Sequence, residues 1–255
     1  MQREQRLPGV PSDPFARAAA RYAAHRPTYP PALARFLAER CSQHTLAWDC
    51  GCGSGQLSVL LAAEFRNVIA TDASAAQIKH ATQHPRIEYR RASAEVSGLP
   101  DSTVDLAAAA QAAHWFDLTN YYAEVMRVAR PGAAIALVTY GMMTIDPNVD
   151  AVVNDFYSQV LGPHWPPERR HVDQGYQTLP FPFDEIRPPE LEMVAEWSFE
   201  DVIGYIETWS AVCALLDSGG RAALDSFRQD LARAWANDAT PRSIRWPLSL
   251  RVGRV

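Results

Sequence analysis

Lysine is almost missing from this 255-residue chain: of its 24 basic residues only Lys79 is a lysine, and the rest are arginine. No function is read from that skew. Cysteine is scarce as well. Cys41, Cys50, Cys52 and Cys213 form no CxxC pair and are too few for the disulfide scaffold of a small secreted domain, so free buried thiols and no metal site are expected. Positive charge is in deficit, 24 Lys plus Arg against 29 Asp plus Glu, so no global field would draw in a nucleic-acid backbone. No apolar run reaches the roughly 18 residues of a membrane span. The polar start MQREQRLPGVPSDP also lacks the apolar segment of a signal peptide, and a cytoplasmic location is expected. A repeat of fixed period, the mark of a solenoid, is absent too.

What is present is ordinary for a packed domain: 47% apolar and 21% charged residues. Short apolar runs alternate with helical patterns. A helix begins near Asp13 and ends at Arg26, because the residue before Pro27 is pushed out of the helical region. ALARFLAERC is a second helix, opened by Pro31. Strands are expected at Thr45 to Trp48, Asn67 to Ala70, IEYRRA, Val104 to Ala110 and Ala134 to Tyr140. Helices are expected at QLSVLLAAEF, at SAAQIKHAT behind a Ser74 cap, and at NYYAEVMRVAR. Strands apolar on both faces and alternating with helices predict an α/β fold, a parallel sheet covered on each side. After Gly141 the rhythm changes. The stretch from Gly162 to Glu190 is dense in Pro and aromatics and reads as a lid or binding loop. Helices follow at IGYIETWSAVCALL and AALDSFRQDLARAWA, with closing antiparallel strands at LEMVAEWSF and SLRVGRV.

The informative segment is AWDCGCGSGQLS at the junction of the first strand and its helix. Gly51, Gly53 and Gly55 let the backbone take positive φ and approach a ligand, and the helix start offers free N–H groups at the same place. A nicotinamide fingerprint would need glycine at residue 56, which is Gln56. Asp49, at the strand end, is a poor neighbour for pyrophosphate and a good one for the ammonium of an amino acid. Asp72, at the next strand end, can accept from both hydroxyls of a ribose. A ligand with a ribose and an amino acid but no phosphate is S-adenosylmethionine.

RYAAHRPTYP, WDCGCGSGQ, TDAS, ASAEVSGLPDSTVDLAAAAQAAHWFD and EVMRVARPGAAIALVTY follow one another between Asp13 and Tyr140. In these motifs the chain resembles the class I S-adenosylmethionine-dependent methyltransferases, in the small-molecule branch that includes trans-aconitate methyltransferase. The resemblance implies a Rossmann-like three-layer sandwich around a mostly parallel seven-stranded sheet, with an antiparallel C-terminal strand and a helical cap insertion. The expected plan is a single domain, 1–255, with cap helices at 1–45 and a cofactor-binding core at 46–140. An acceptor-site cap occupies 141–190 and 203–240, and closing strands lie at 191–199 and 249–255. It places Asp49, Gly51, Gly53 and Gly55 around the methionine part and Asp72 on the ribose. Ala73 and Gln77 lie against the adenine, Ala94 touches its edge through the backbone, and Gln111 meets the methionine moiety. Tyr22 and Arg26 fold over the cofactor, with Arg26 on its carboxylate. Two departures stand out: Ser93 replaces an acidic residue that accepts from the adenine amino group, a part Glu95 could take, and Gln77 replaces a frequent Met.

Methyl transfer from a sulfonium is an in-line displacement, in which the protein aligns a nucleophile and excludes water. A carboxylate acceptor needs no base; a hydroxyl or amine does. His114 is the candidate for that proton, or else a packed, hydrogen-bonded residue. Trp115, Tyr140, Trp165 and Trp209 are either walls of an acceptor pocket or core aromatics, and Arg169 and Arg170 either bind an acidic acceptor or form a solvated turn. The expected partner is a small-molecule acceptor, not nucleic acid or membrane, and the protein is a monomer or homodimer. Two alternatives remain: a catalytically silent S-adenosylmethionine-binding module, and an NAD-dependent oxidoreductase.

Overall fold

The computed structural model describes residues 27–236 and 240–255. The helix expected over Asp13 to Arg26, with Tyr22 and Arg26, lies outside the described residues.

After helix α1 (Pro31–Ala38), strand and helix alternate: β1 (Leu46–Cys50), α2 (Gln56–Glu64), β2 (Asn67–Asp72), α3 (Ala75–Lys79), β3 (Ile87–Arg91), β4 (Val104–Ala110), α4 (Leu118–Val128) and β5 (Ala129–Tyr140). Strands β1 to β5 are mutually parallel, in the order β3-β2-β1-β4-β5. Their near-continuous apolar runs are split by the two-residue period of a strand. Ala47, Leu106, Ala108, Ala136 and Val138 pack into one layer with α1 and α2. Trp48, Cys50, Ala107, Ala109, Ile135 and Leu137 face the other way, toward Tyr121 and Val125 of α4. Alanine lines much of the middle of the sheet, which lets the covering helices come close. The strand order reverses between β1 and β4, the position where open α/β sheets leave a crevice at the strands' C-terminal ends.

Several boundaries differ from the expected ones. Strands β1 and β2 run on through Asp49 and Asp72, so both carboxylates belong to the sheet. Strand β5 starts at Ala129, ahead of Pro131 and Gly132, with a register shift against β4 between Val104 and Leu106. Helix α3 ends at Lys79, shorter than expected, and Ser74 caps it by accepting from the Gln77 amide.

Beyond β5 come α5 (Pro147–Asp155), continued by a π-type turn over Phe156–Val160, then α6 (Arg169–Asp173), β6 (Asp184–Ile186), β7 (Glu192–Trp197), α7 (Phe199–Ile206), α8 (Ser210–Asp217), α9 (Arg221–Ala234) and β8 (Arg242–Arg254). Among the described residues the sheet has eight strands, where seven were expected. Strand β8 is shared: residues 248–254 run antiparallel to β5, while 242–247 form a ribbon with β7. Pro247 made this strand hard to see, because proline cannot donate to a ladder. It sits opposite Glu192, where the partner strand changes. The single helix expected over IGYIETWSAVCALL is two, α7 and α8, separated at 207–209. The stacked rings of Phe156 and Phe227, 4.0 Å apart, tie the insertion after β5 to α9.

Candidate cofactor and acceptor site

The loop after β1 is pinned by backbone bonds from the Gly51 and Cys52 amides to the Thr71 carbonyl. All three of its glycines have positive φ, but for different reasons. A Cβ on Gly51 would come within 2.5 Å of the Ala112 Cβ, and one on Gly55 would fall on the Tyr89 hydroxyl. Those two glycines make room for protein. Gly53 is the exception: its Cβ would meet only the Gln77 side-chain oxygen, 4.0 Å away, so its open side faces the crevice.

Asp49 is 1% exposed. One carboxylate oxygen, Oδ2, accepts from the Ser58 hydroxyl at 2.5 Å, and Oδ1 is buried without a partner among the described residues. Burial pushes its pKa up to about 7, with the Ser58 hydroxyl opposing the shift and the charge of Asp72 adding to it. Asp72 accepts from the Gly53 amide at 2.8 Å through Oδ2 and from the Ser74 amide at 2.8 Å through Oδ1. The same carboxylate therefore ties the glycine loop to the turn that opens α3.

Gln77 is buried, and its Oε1 has no partner among the described residues. Ala73 follows Asp72 at the mouth of β2, and its carbonyl accepts from Arg91. Ala94 is buried, Ser93 bridges to Val96, and Glu95 accepts from the Asp117 amide at 3.0 Å at the start of α4. Gln111 sits at φ +53° just past β4, and its side chain turns back to β5, donating to the Tyr140 carbonyl at 3.0 Å and accepting from Thr139 at 2.7 Å. Both the side-chain amide and the backbone N–H, which donates to the Val138 carbonyl, tie Gln111 to β5.

His114 lies in a short 3₁₀ turn, Ala113–Trp115. Its Nδ1 is 2.7 Å from the hydroxyl of Tyr176, a fully buried residue that reading of the sequence passed over. Burial, aided by the charges of Arg169 and His171, pushes the imidazole pKa down to about 3. The uncharged imidazole is favoured there, hydrogen-bonded to Tyr176. Trp115 packs on it at 4.9 Å and is 41% exposed, whereas Tyr140 is buried edge-on to Tyr29. Trp165 and Trp209 meet at 5.8 Å, with Tyr157 against both and Tyr205 against Trp209. Arg170 is exposed, in keeping with a solvated turn; Arg169 is enclosed by this aromatic cluster.

The methyltransferase domain family matches residues 48–137, which run from β1 through most of β5. A Dictyostelium discoideum protein named as a methyltransferase is 34% identical over 227 residues, 88% of this chain and 86% of its own length. A solved structure from Anaeromyxobacter dehalogenans, described as a type II methyltransferase, is 49% identical. It superposes with a TM-score of 0.84 over 90% of this chain and 97% of its own. The chain belongs to the S-adenosylmethionine-dependent methyltransferases. A Mycolicibacterium smegmatis protein named for the same activity and cofactor is 32% identical over 127 residues, 49% of each chain.

The residues of this methyltransferase suit its cofactor. A buried, unpartnered carboxylate oxygen on Asp49 matches an ammonium group, and the orphaned Gln77 oxygen matches an N–H or O–H donor. The backbone is open at Gly53 among the described residues, with the Gln77 side-chain oxygen 4.0 Å from where a Cβ would stand. Sequence reasoning missed Ser58, Tyr89, Thr139, Tyr157, Tyr176 and Tyr205. Ser58 closes the glycine motif in the first turn of α2, but its bond to Asp49 was not legible from spacing alone. The tyrosines after residue 150 belong to a region where aromatic density was legible and partners were not.

Proposed function

We propose that this methyltransferase moves a methyl group to an oxygen of a small molecule, a carboxylate or a hydroxyl already ionised near neutral pH. The observation that carries the acceptor class is the state of His114: held neutral beside Tyr176, it can position an acceptor but is a weak base for a protonated alcohol or ammonium. Bound S-adenosylmethionine would supply a methyl on a sulfonium, open to in-line attack.

The chain's own work is binding, alignment and exclusion of water. Asp49 would hold the amino group and Asp72 the ribose hydroxyls. Gly51, Gly53 and Gly55 would shape the cradle, with Ala73, Gln77, Ser93 and Ala94 around the adenine and Gln111 near the methionine part. Trp115, Tyr140, Trp165 and Trp209 would wall the acceptor side, and Tyr22 and Arg26 would close over the cofactor. We place the cofactor core at 46–140 and the acceptor cap at 141–190 and 203–240 of one domain, acting as a monomer or homodimer in the cytoplasm. Among the described residues no helix is long and apolar enough to cross a membrane.

The test is a labelled-methyl transfer screen across small acids, phenols, alcohols, amines and thiols. Label on acids or phenols supports the proposal; label on amines or thiols alone, or on none, contradicts it.

A further inference from the structure

Arg169 is the unusual charge of the acceptor cap. Its guanidinium carbon lies 4.7 Å from the centre of the Trp165 ring and 5.5 Å from that of Tyr157. Trp209 closes the same cluster at 5.8 Å from Trp165. Only Nε is engaged, donating to the Tyr157 hydroxyl at 2.9 Å and to Asp173 at 3.1 Å. Neither Nη group has a hydrogen-bond partner among the described residues, and neither is sealed from solvent. The side chain is 23% exposed, against 44% for Asp173, so the counter-ion sits on the outer side. Tyr157 and Asp173 are themselves joined at 2.7 Å, which fixes the Nε edge of the fork and leaves the opposite edge open.

A guanidinium that only braced the cap would spend its N–H groups on carboxylate and carbonyl oxygens. Arg251 does so, giving two bonds to Glu185 and another to the Leu179 carbonyl. Arg169 keeps four N–H donors unused in an aromatic enclosure. Its charge also reaches His114 and Tyr176, at the C-terminal ends of the central strands. Four planar donors flanked by the rings of Trp165 and Tyr157 match a flat anion on an apolar body.

We propose that Arg169 is a specificity-determining residue that anchors the carboxylate of a small, flat, apolar acceptor through its two Nη groups, beside the aromatic cluster of Trp165 and Tyr157. The proposal rests on the acceptor site assigned above and narrows it to anions. Asp173 and Tyr157 are positioning residues that hold the fork in place.

The test measures binding of benzoate, phenylacetate and 4-hydroxybenzoate, each against its primary amide, by tryptophan fluorescence and calorimetry, with and without S-adenosylhomocysteine. At least one acid is expected to bind about tenfold or more tighter than its amide. Arg169→Met is expected to erase that preference, and Arg169→Lys, which keeps the charge and loses the fork, to restore only part of it. Affinity for S-adenosylhomocysteine should be unchanged in both variants, which also shows that they fold. Equal binding of acid and amide by the natural protein, binding of neither, or an undiminished preference in Arg169→Met would overturn the proposal. Loss of S-adenosylhomocysteine binding by the natural protein would overturn the cofactor site instead, and the comparison made without it tells the two failures apart.

Discussion

Asp49 and Asp72 are both carboxylates at the mouth of neighbouring strands, yet they do different physical work. Asp49 is dry and half satisfied, so in the free protein it holds its proton up to about pH 7. An ammonium placed on Oδ1 favours the anion and lowers that pKa, so the complex binds fewer protons than the free protein. Affinity for S-adenosylhomocysteine should therefore rise with pH up to about 7 and level off above it. Calorimetry in buffers of different ionisation enthalpy should show a proton released near neutrality, and Asp49→Asn should abolish that release; an unaltered release would remove Asp49 from the amino group. Asp72 is wetter and holds two backbone amides. Replacing it by Ala should weaken S-adenosylhomocysteine binding by roughly 1.5–3 kcal/mol, the scale of hydrogen bonds to a charged group. His114, with its pKa near 3, should leave no inflection around the ordinary value of 6.5 in the pH profile of methyl transfer. An inflection there that vanishes in His114→Gln would show a working base.

At the scale of elements, the glycine loop separates packing from binding. Gly53→Ala at φ +53° meets open space, so its folding cost is backbone strain alone, about 1–2 kcal/mol, together with a loss of cofactor affinity. Gly55→Ala at φ +85° adds a collision with Tyr89, and its cost should be about 3 kcal/mol or more in urea unfolding. Equal costs for the two would mean that the loop gives way at Tyr89. The existence of these elements was legible because period-two burial and the Asp-x-Gly-x-Gly-x-Gly spacing are local signals. Their ends were less so. Strand β2 outruns its apolar stretch because parallel pairing with β3 carries it on to Asp72 and Arg91. Strand β8 crosses Pro247 because the ribbon ends there. Gln111 was recognised by position, while its side-chain direction depends on Thr139 and Tyr140, 28 and 29 residues away.

Over the whole molecule, a sheet with its reversal point between β1 and β4 supplies a crevice, and the segments inserted after β5 and β7 pack on one another through Phe156 and Phe227 and through Trp165 and Trp209. The core up to Tyr140 could be read almost element by element, since each βα unit stabilises itself through nearby residues. The cap could not, because its contacts join residues such as Trp165 and Trp209 that share no periodic pattern. A crystal structure of the protein soaked with S-adenosylhomocysteine decides whether the two strand-end carboxylates share one ligand. The amino group should lie within hydrogen-bonding distance of Asp49 Oδ1 and the ribose hydroxyls on Asp72. A ligand bound elsewhere, or bound here with either carboxylate unengaged, would contradict the account.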